Sequence, residues 1–385
     1  MNRRQIVAIG AAVAFPGCAT TPDSDDTNGE QPTSDELLES AIETRRHMHD
    51  LTARRTMQVD APDGSVERVE RLARAPPAKQ RIEVVESTDP DTPAGSVTVT
   101  NRATTWEYNP KTETVDKQYH PNKVDTDGVR LVLEDLRSNH ELGYEGQETV
   151  NGRDTHVIET KPPAEDVGPT INLVVGETTF VVPLRVTGDP ETVDVSRTIW
   201  IDDEYRYPIK ERNVVAKDGE TLHELIVTYE DLSIDQGIQS GTFTYEPPEG
   251  ATVVTDGSEP EGVFESLTGA EEILPYDLPD PDVPDAYVLD RVTVIEQKPK
   301  YGGTIATLWY NDPNVIAKEL YVAVRQQQRF NPDVLEQIEF DGQTAYRRDG
   351  RIRSIFWTCD DLSYEVSSLV DDSPLLEIAS SIGCS

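Results

Sequence analysis

The sequence predicts an α+β protein: a long antiparallel meander with helices against one face, followed by a smaller α+β unit. Three observations carry this. From Arg54 onward, apolar residues recur with a period of two between clusters of Pro, Gly, Asp and Asn, as in half-buried strands and their turns. Three stretches instead carry helix signals, beginning near Thr33, Asp127 and Ser373. A segment dense in Pro, Asp, Glu and Gly, Gly250 to Asp285, separates two patterned regions, and 385 residues suffice for two ordinary cores.

The chain opens MNRRQIVAIGAAVAFPGCATTPDSDD, with Arg3 and Arg4 paired and Ile6 to Phe15 a short apolar run. That run has signal-peptide length and is too short to span a bilayer. Cys18 follows Gly17 and precedes a polar stretch, an arrangement that resembles the lipobox of bacterial and archaeal lipoproteins, although Phe15 and Pro16 depart from it. The resemblance implies that Cys18 takes a lipid, that residues 1–17 are removed and that 18–32 tether the protein to the outer face of the cell membrane. A twin-arginine signal implies export after folding.

Thr33 and Glu36 are spaced as a capping box, and Leu37, Leu38, Ala41, Ile42 and Met48 mark one apolar face of the helix that follows. Strands are expected at 54–60, 66–73, 80–86, 97–100, 104–108 and 114–119. Asp127 to Arg137 reads as a second helix, with Val129, Val132, Leu133 and Leu136 inward. Further strands are expected at 156–160, 197–202, 208–217 and 222–231.

Three blocks in this region resemble the LolA-type lipoprotein carrier and localisation superfamily, to which mycobacterial lipid-binding lipoproteins and envelope-stress regulators also belong. They are TTWEYNPKTETVDKQ (Thr104–Gln118), TIWIDDEYRYPIKER (Thr198–Arg212) and the closing strand FTYEPPEGATVV (Phe243–Val254), in that family's order. The resemblance implies a curved antiparallel sheet, an incomplete barrel with helices on its concave face, enclosing an apolar cavity for an acyl chain. Burying about ten methylenes there would supply on the order of 8 kcal/mol before ordering costs. Trp106 and Tyr108 share one strand face, and Trp200 is the next large aromatic in a matched block. These three are candidates for the cavity lining, with plain core packing as the competing role.

The resulting organisation is a LolA-like domain over 33–254, a linker over 255–285 carrying one short helix at Gly262–Leu267, and a small domain over 286–385. Strands of the small domain are expected at 288–297, 303–310, 319–328, 336–340, 344–348, 351–358 and 363–366. Asp341-Gly342 and Asp349-Gly350 signal hairpins, and Pro374 opens a helix with Leu375, Leu376, Ala379 and Ile382. The run IRSIFWTCDDLSYEVSSLVDDSPLLEIASSI resembles the extracytoplasmic domain known as DUF4367. Cys359 and Cys384 either bridge, closing a loop of about 25 residues worth roughly 3 kcal/mol, or stay as two thiols; spacing leaves both open.

Composition narrows the function. Against 35 Lys and Arg stand 72 Asp and Glu, a net charge of −37, and the carboxylates are spread along the chain. Nucleic acid is therefore excluded as a partner, since phosphate contacts need clustered cations. Dispersed acidity, with 25 Arg against 10 Lys, reads as a folded surface adapted to very high salt, as in an extreme halophile. No phosphate loop, Gly-x-Ser-x-Gly elbow or His-Glu-x-x-His motif occurs. His47 and His49, the one close histidine pair, point apart on a helix. No catalytic residue, metal site or cofactor is expected. The chain reads as a surface lipoprotein binding a lipid or lipidated ligand. The alternatives are an envelope sensor that binds a membrane-protein partner of anti-sigma type and a structural surface module.

Overall fold

The computed structural model describes residues 32–62, 64–76, 78–122, 128–162, 170–175, 178–183, 193–256, 260, 262–296, 303–316, 318–350, 352–370 and 373–384. The expected signal segment, Cys18 and nearly all of the expected tether lie outside them. Thr33–Ser385 form one compact unit containing two large sheets. Among the described residues no helix is long and apolar enough to cross a membrane.

Helix α1 (Ser34–His47) begins at the expected capping box. Glu36 N donates to Thr33 Oγ1 at 3.2 Å, and Thr33 N donates to Glu36 Oε2 at 2.8 Å. Arg45, Arg46 and His47 complement the dipole in its last turn. Strands β1 (Leu51–Ala61), β2 (Gly64–Ala75), β3 (Lys79–Ser87), β4 (Val97–Thr100), β5 (Thr104–Asn109) and β6 (Thr114–Tyr119) follow as a meander. Then come α2 (Gly128–Asn139), β7 (Glu141–Val150), β8 (Arg153–Lys161), the separate hairpin β9 (Thr170–Val175) and β10 (Thr178–Pro183), β11 (Val193–Asp202), β12 (Pro208–Lys217) and β13 (Glu220–Ile234).

Twelve strands, the last of them β14 (Thr252–Asp256), join in the order β14-β6-β5-β4-β3-β2-β1-β13-β12-β11-β8-β7, an open sheet whose two arms meet where β1 pairs with β13. The pairing is antiparallel except at β14, which lies parallel to β6. The closing strand is thus not FTYEPPEGATVV as a whole. Pro247 and Pro248 lack the N–H a ladder needs, and pairing begins only at Thr252.

Further elements differ from expectation, among them the β9–β10 hairpin, where the sequence predicts no strand. Strand β7 escapes a period-two reading because it is an edge strand with Gly143 and Gly146 and a register shift between Tyr144 and Gly146. The helix expected at 262–267 is instead strand β15 (Gly262–Phe264) followed by α3 (Leu267–Glu271), whose N-cap Ser266 accepts from Gly269 N at 3.2 Å.

Both long helices pack on one end of the large sheet. Leu37, Leu38, Ala41 and Ile42 of α1 and Val129, Leu133 and Leu136 of α2 share a core with Ile158, Ile199 and Ile201.

The second sheet runs β15-β16-β17-β18-β22-β21-β20-β19, with β16 (Val288–Glu296), β17 (Thr304–Asn311), β18 (Glu319–Arg325), β19 (Glu336–Phe340), β20 (Gln343–Arg348), β21 (Arg353–Cys359) and β22 (Leu362–Ser368). Asp341 and Gly342 turn β19 into β20 with φ of 49° and 75°, the left-handed pair a tight hairpin requires. One face of this sheet is apolar and packs Val292, Leu308, Val322, Val366 and Trp357 beneath α3, residues 274–283 and α4 (Leu375–Ile382). Cys359 and Cys384 are joined as a disulfide with Cα atoms 5.4 Å apart, fastening the end of α4 to β21. On the opposite face Thr293 Oγ1 donates to Asn122 Oδ1, just beyond β6, at 2.5 Å, and in the loop after β17 Ile316 N donates to the Arg46 carbonyl of α1 at 2.7 Å.

A charged concavity as the candidate binding site

Pairing register defines the face on which a ligand could sit. Aligned residues run Ile199–Glu211–Val227–Met57–Arg68 across β11, β12, β13, β1 and β2. Ile199 lies beneath the helices; four strands away the same face carries Arg68. One residue pair further along, Tyr229, Arg55, Glu70 and Val84 align on that face.

Here the sheet surrounds an open cavity of about 410 Å³, bounded by Arg55, Arg68, Glu70, Ile82, Val84 and Thr98, with Glu107, Tyr108 and Asp116 at its border. That volume lies within the roughly 300–1,000 Å³ typical of small-molecule sites. The lining is amphipathic: Ile82 and Val84 sit beside a guanidinium–carboxylate cluster. It differs from the wholly apolar hollow that the family resemblance implies, because Arg55 on β1 and Arg68 and Glu70 on β2 occupy inward positions.

Arg55 and Glu70 are both buried. Arg55 Nε donates to Glu70 Oε2 at 2.8 Å and Arg55 Nη2 bonds the same oxygen, while Arg68 Nε lies 2.5 Å from Glu70 Oε1. Burial works against the Arg55 charge, but Tyr229 and Glu70 beside it outweigh that effect and raise its pKa above the ordinary value. The cluster is therefore a fixed pair, Arg55–Glu70, with a second guanidinium bound to its rim. Arg68 also approaches Asp89 at 3.8 Å. Such an arrangement can orient a polar group by charge-assisted hydrogen bonds.

The aromatic candidates Trp106 and Tyr108 share one strand face, opposite Glu107. Tyr108 nevertheless touches the cavity's border. Trp106 pairs with Val99 and Lys117, on the face opposite the Thr98, Glu107 and Asp116 side of the same strands. Trp200 lies next to Ile199 and so faces away from the helices. Its Nε1 donates to Glu148 Oε2 at 2.7 Å, and Lys210 Nζ sits 4.3 Å from its ring centre. Arg55, Arg68 and Glu70 escaped sequence reasoning, although the alternation Ala53-Arg55-Met57 already placed one cation on an inward face. Among the described residues no group of three His, Cys, Asp or Glu is arranged to hold a metal ion.

No family model and no curated protein matches the chain. Several solved structures are similar. The Pseudomonas aeruginosa MucA/MucB complex aligns at 13% identity and TM-score 0.32, over 89% of this chain and 95% of that one. A LolA superfamily protein from Nitrosomonas europaea aligns at 10% identity and TM-score 0.26, over 56% and 99%. The Mycobacterium tuberculosis lipoprotein LppX aligns at 12% identity and TM-score 0.31, over 54% and 99%. These likenesses are distant, and the functional reading rests on the cavity itself.

Proposed function

We propose that the protein is an exported, non-catalytic binding protein, anchored at Cys18, that holds an amphiphilic, acyl-chain-bearing ligand in the concavity of its twelve-stranded sheet. The observation that carries this is the open 410 Å³ cavity, in which Ile82 and Val84 lie beside the Arg55–Glu70–Arg68 cluster. The ligand's apolar part would rest on the two aliphatic side chains. Its polar group would meet Arg68, the more accessible of the two guanidiniums. Residues 33–254 would form the ligand module, and 286–385, beyond the 255–285 connection, its accessory. A disulfide between Cys359 and Cys384 suits an oxidising compartment outside the cell.

Titration of the full-length protein in molar salt with a fluorescent fatty-acid probe tests the reading. We expect saturable uptake of one probe per chain. Ile82→Arg should weaken it about tenfold or more, corresponding to roughly 1.4 kcal/mol, while Trp106→Ala on the reverse face leaves it unchanged. Uptake that never saturates, or that ignores Ile82→Arg, would overturn it.

One observation favours a second reading, capture of a membrane-protein partner. Strand β14 stands at the sheet's edge, paired only to β6 among the described strands, with Val253 45% and Val254 49% exposed. Such an edge accepts an added strand. Partner cross-linking that survives Val254→Pro would count against it.

A further inference from the structure

The second sheet carries a cavity of its own, about 360 Å³, that the reading above does not use. Three guanidiniums, Arg325, Arg329 and Arg348, border it with one carboxylate, Glu365, and the rings of Phe330 and Phe356. Among the lining side chains three are cationic and one is anionic, in a chain whose net charge is −37.

The single carboxylate is already committed. Glu365 accepts from Tyr321 Oη at 3.0 Å and from Ser367 Oγ at 2.9 Å, and Arg325 Nη1 lies 2.7 Å from its other oxygen. Arg348 stands 3.8 Å away from it, beyond hydrogen-bond distance. Instead Ser354 Oγ accepts from Arg348 Nη2 at 2.7 Å, and the guanidinium lies over Phe356, 5.2 Å from the ring centre. Arg348 is thus oriented by a hydroxyl and an aromatic face while its side chain stays 44% exposed.

Apolar walls complete the cavity. Phe330 packs 5.2 Å from Phe356 and 5.3 Å from Tyr346, and Val334 and Leu335 border the other side, Val334 being 75% exposed. An oriented guanidinium beside an aromatic shelf fits a planar anion attached to an apolar body.

We propose that this cavity is a second ligand site, taking a small organic anion that joins one carboxylate or phosphate to an aromatic or aliphatic body. The anion pairs with Arg348, and the body lies against Phe330 and Phe356. Binding is reversible and breaks no bond.

The test titrates the full-length protein in molar salt with 4-phenylbutyrate, phenyl phosphate and the neutral 4-phenylbutanol, followed by ligand-observed NMR. We expect saturable binding of at least one acid, about tenfold tighter than the alcohol, as for a charge-assisted contact. The comparison of the two acids decides between carboxylate and phosphate. Arg348→Ala and Phe330→Ala should each weaken the preferred acid about fivefold or more, and Arg348→Lys, which keeps the charge but loses the fork, should fall between. Ile82→Arg, in the first cavity, should leave this binding unchanged, so the two sites fail separately. Absence of saturation by every probe, equal binding of alcohol and acid, or full-strength binding by folded Arg348→Ala or Arg348→Lys overturns the proposal.

Discussion

Arg102 Nη1 donates to Glu319 Oε1 at 2.8 Å, a bond that spans 217 residues of sequence and ties the β4–β5 turn to the first residue of β18. Arg102 Nε also faces Asp290 at 3.3 Å, and Arg291 bonds the same carboxylate oxygen at 2.6 Å. Both Arg102 and Glu319 are largely buried, so water contributes little to compensating either charge. The junction between the two sheets therefore rests on buried ionic contacts.

Arg102→Ala should destabilise the protein by roughly 3–5 kcal/mol, the usual consequence of removing one partner from a buried pair. Guanidinium unfolding monitored by tryptophan fluorescence measures this. The double variant Arg102→Met/Glu319→Leu should recover much of the loss, because no carboxylate is then left facing an apolar neighbour.

Asp202 gives a second, independent case. Its side chain is 1% exposed; it accepts from Arg153 Nε at 2.6 Å and from the backbone N–H groups of Glu204 and Tyr205 at 3.1 and 2.6 Å, fixing the β11–β12 turn. Hydrogen bonds to Asp202, and then to Glu204, raise the Arg153 pKa against the opposing effect of burial. Asp202→Ala should cost about 3–5 kcal/mol, whereas Glu204→Ala, at an exposed carboxylate, should change the midpoint by less than about 1 kcal/mol.

Removing the disulfide by Cys359→Ser/Cys384→Ser should cost about 3 kcal/mol, since the closed loop spans 25 residues. Thermal unfolding of the double variant, compared with the reduced parent, checks it. The two should melt together.

The 312–318 loop predicts a pH dependence. Burial opposes the Asp312 charge, but the Asn314 backbone N–H and the Lys318 ammonium, 3.1 Å away, more than compensate and hold its pKa below the usual value. A depressed carboxylate contributes stability fully above the unfolded pKa of about 3.9 and loses it as pH falls towards the lower folded value. Hydrogen exchange at Ile316, whose N–H bonds Arg46, should thus be constant from neutral pH to about pH 5 once the intrinsic rate is corrected, and quicken below about pH 4. Asp312→Asn should lack that acid-dependent step.

Lowering the salt should destabilise the whole molecule. With a net charge of −37, self-repulsion grows as the Debye length lengthens from about 3 Å at 1 M to about 10 Å at 0.1 M. Unfolding midpoints measured across that range should fall steadily with dilution.

Local physics set what could be read in advance. The capping box at Thr33 and Glu36, the strands β4, β6, β12 and β19, and the Asp341-Gly342 hairpin all match expectation to the residue, because each depends on neighbours in sequence. Strand β7 and the β15–α3 pair did not emerge, since an edge strand buries too little to impose a clean alternation. The parallel seat of β14 is set by β6, more than 130 positions earlier. Among the site residues, Tyr108 was legible as an aromatic of a matched block, while Arg55 and Glu70 resemble any other charged residue until register brings them opposite one another.

Sequence alone determined the strand-rich class, the strongly negative net charge and the positions of the two cysteines near the C-terminal end. Tertiary structure alone decided that the face continuing from Ile199 ends at a charged cavity, that Trp106 and Trp200 turn away from the helix-covered face, and that three arginines gather above Glu365. The reason is physical: a side chain's face follows from the two-residue period of its own strand, but what it confronts depends on strands brought alongside from far away in the chain.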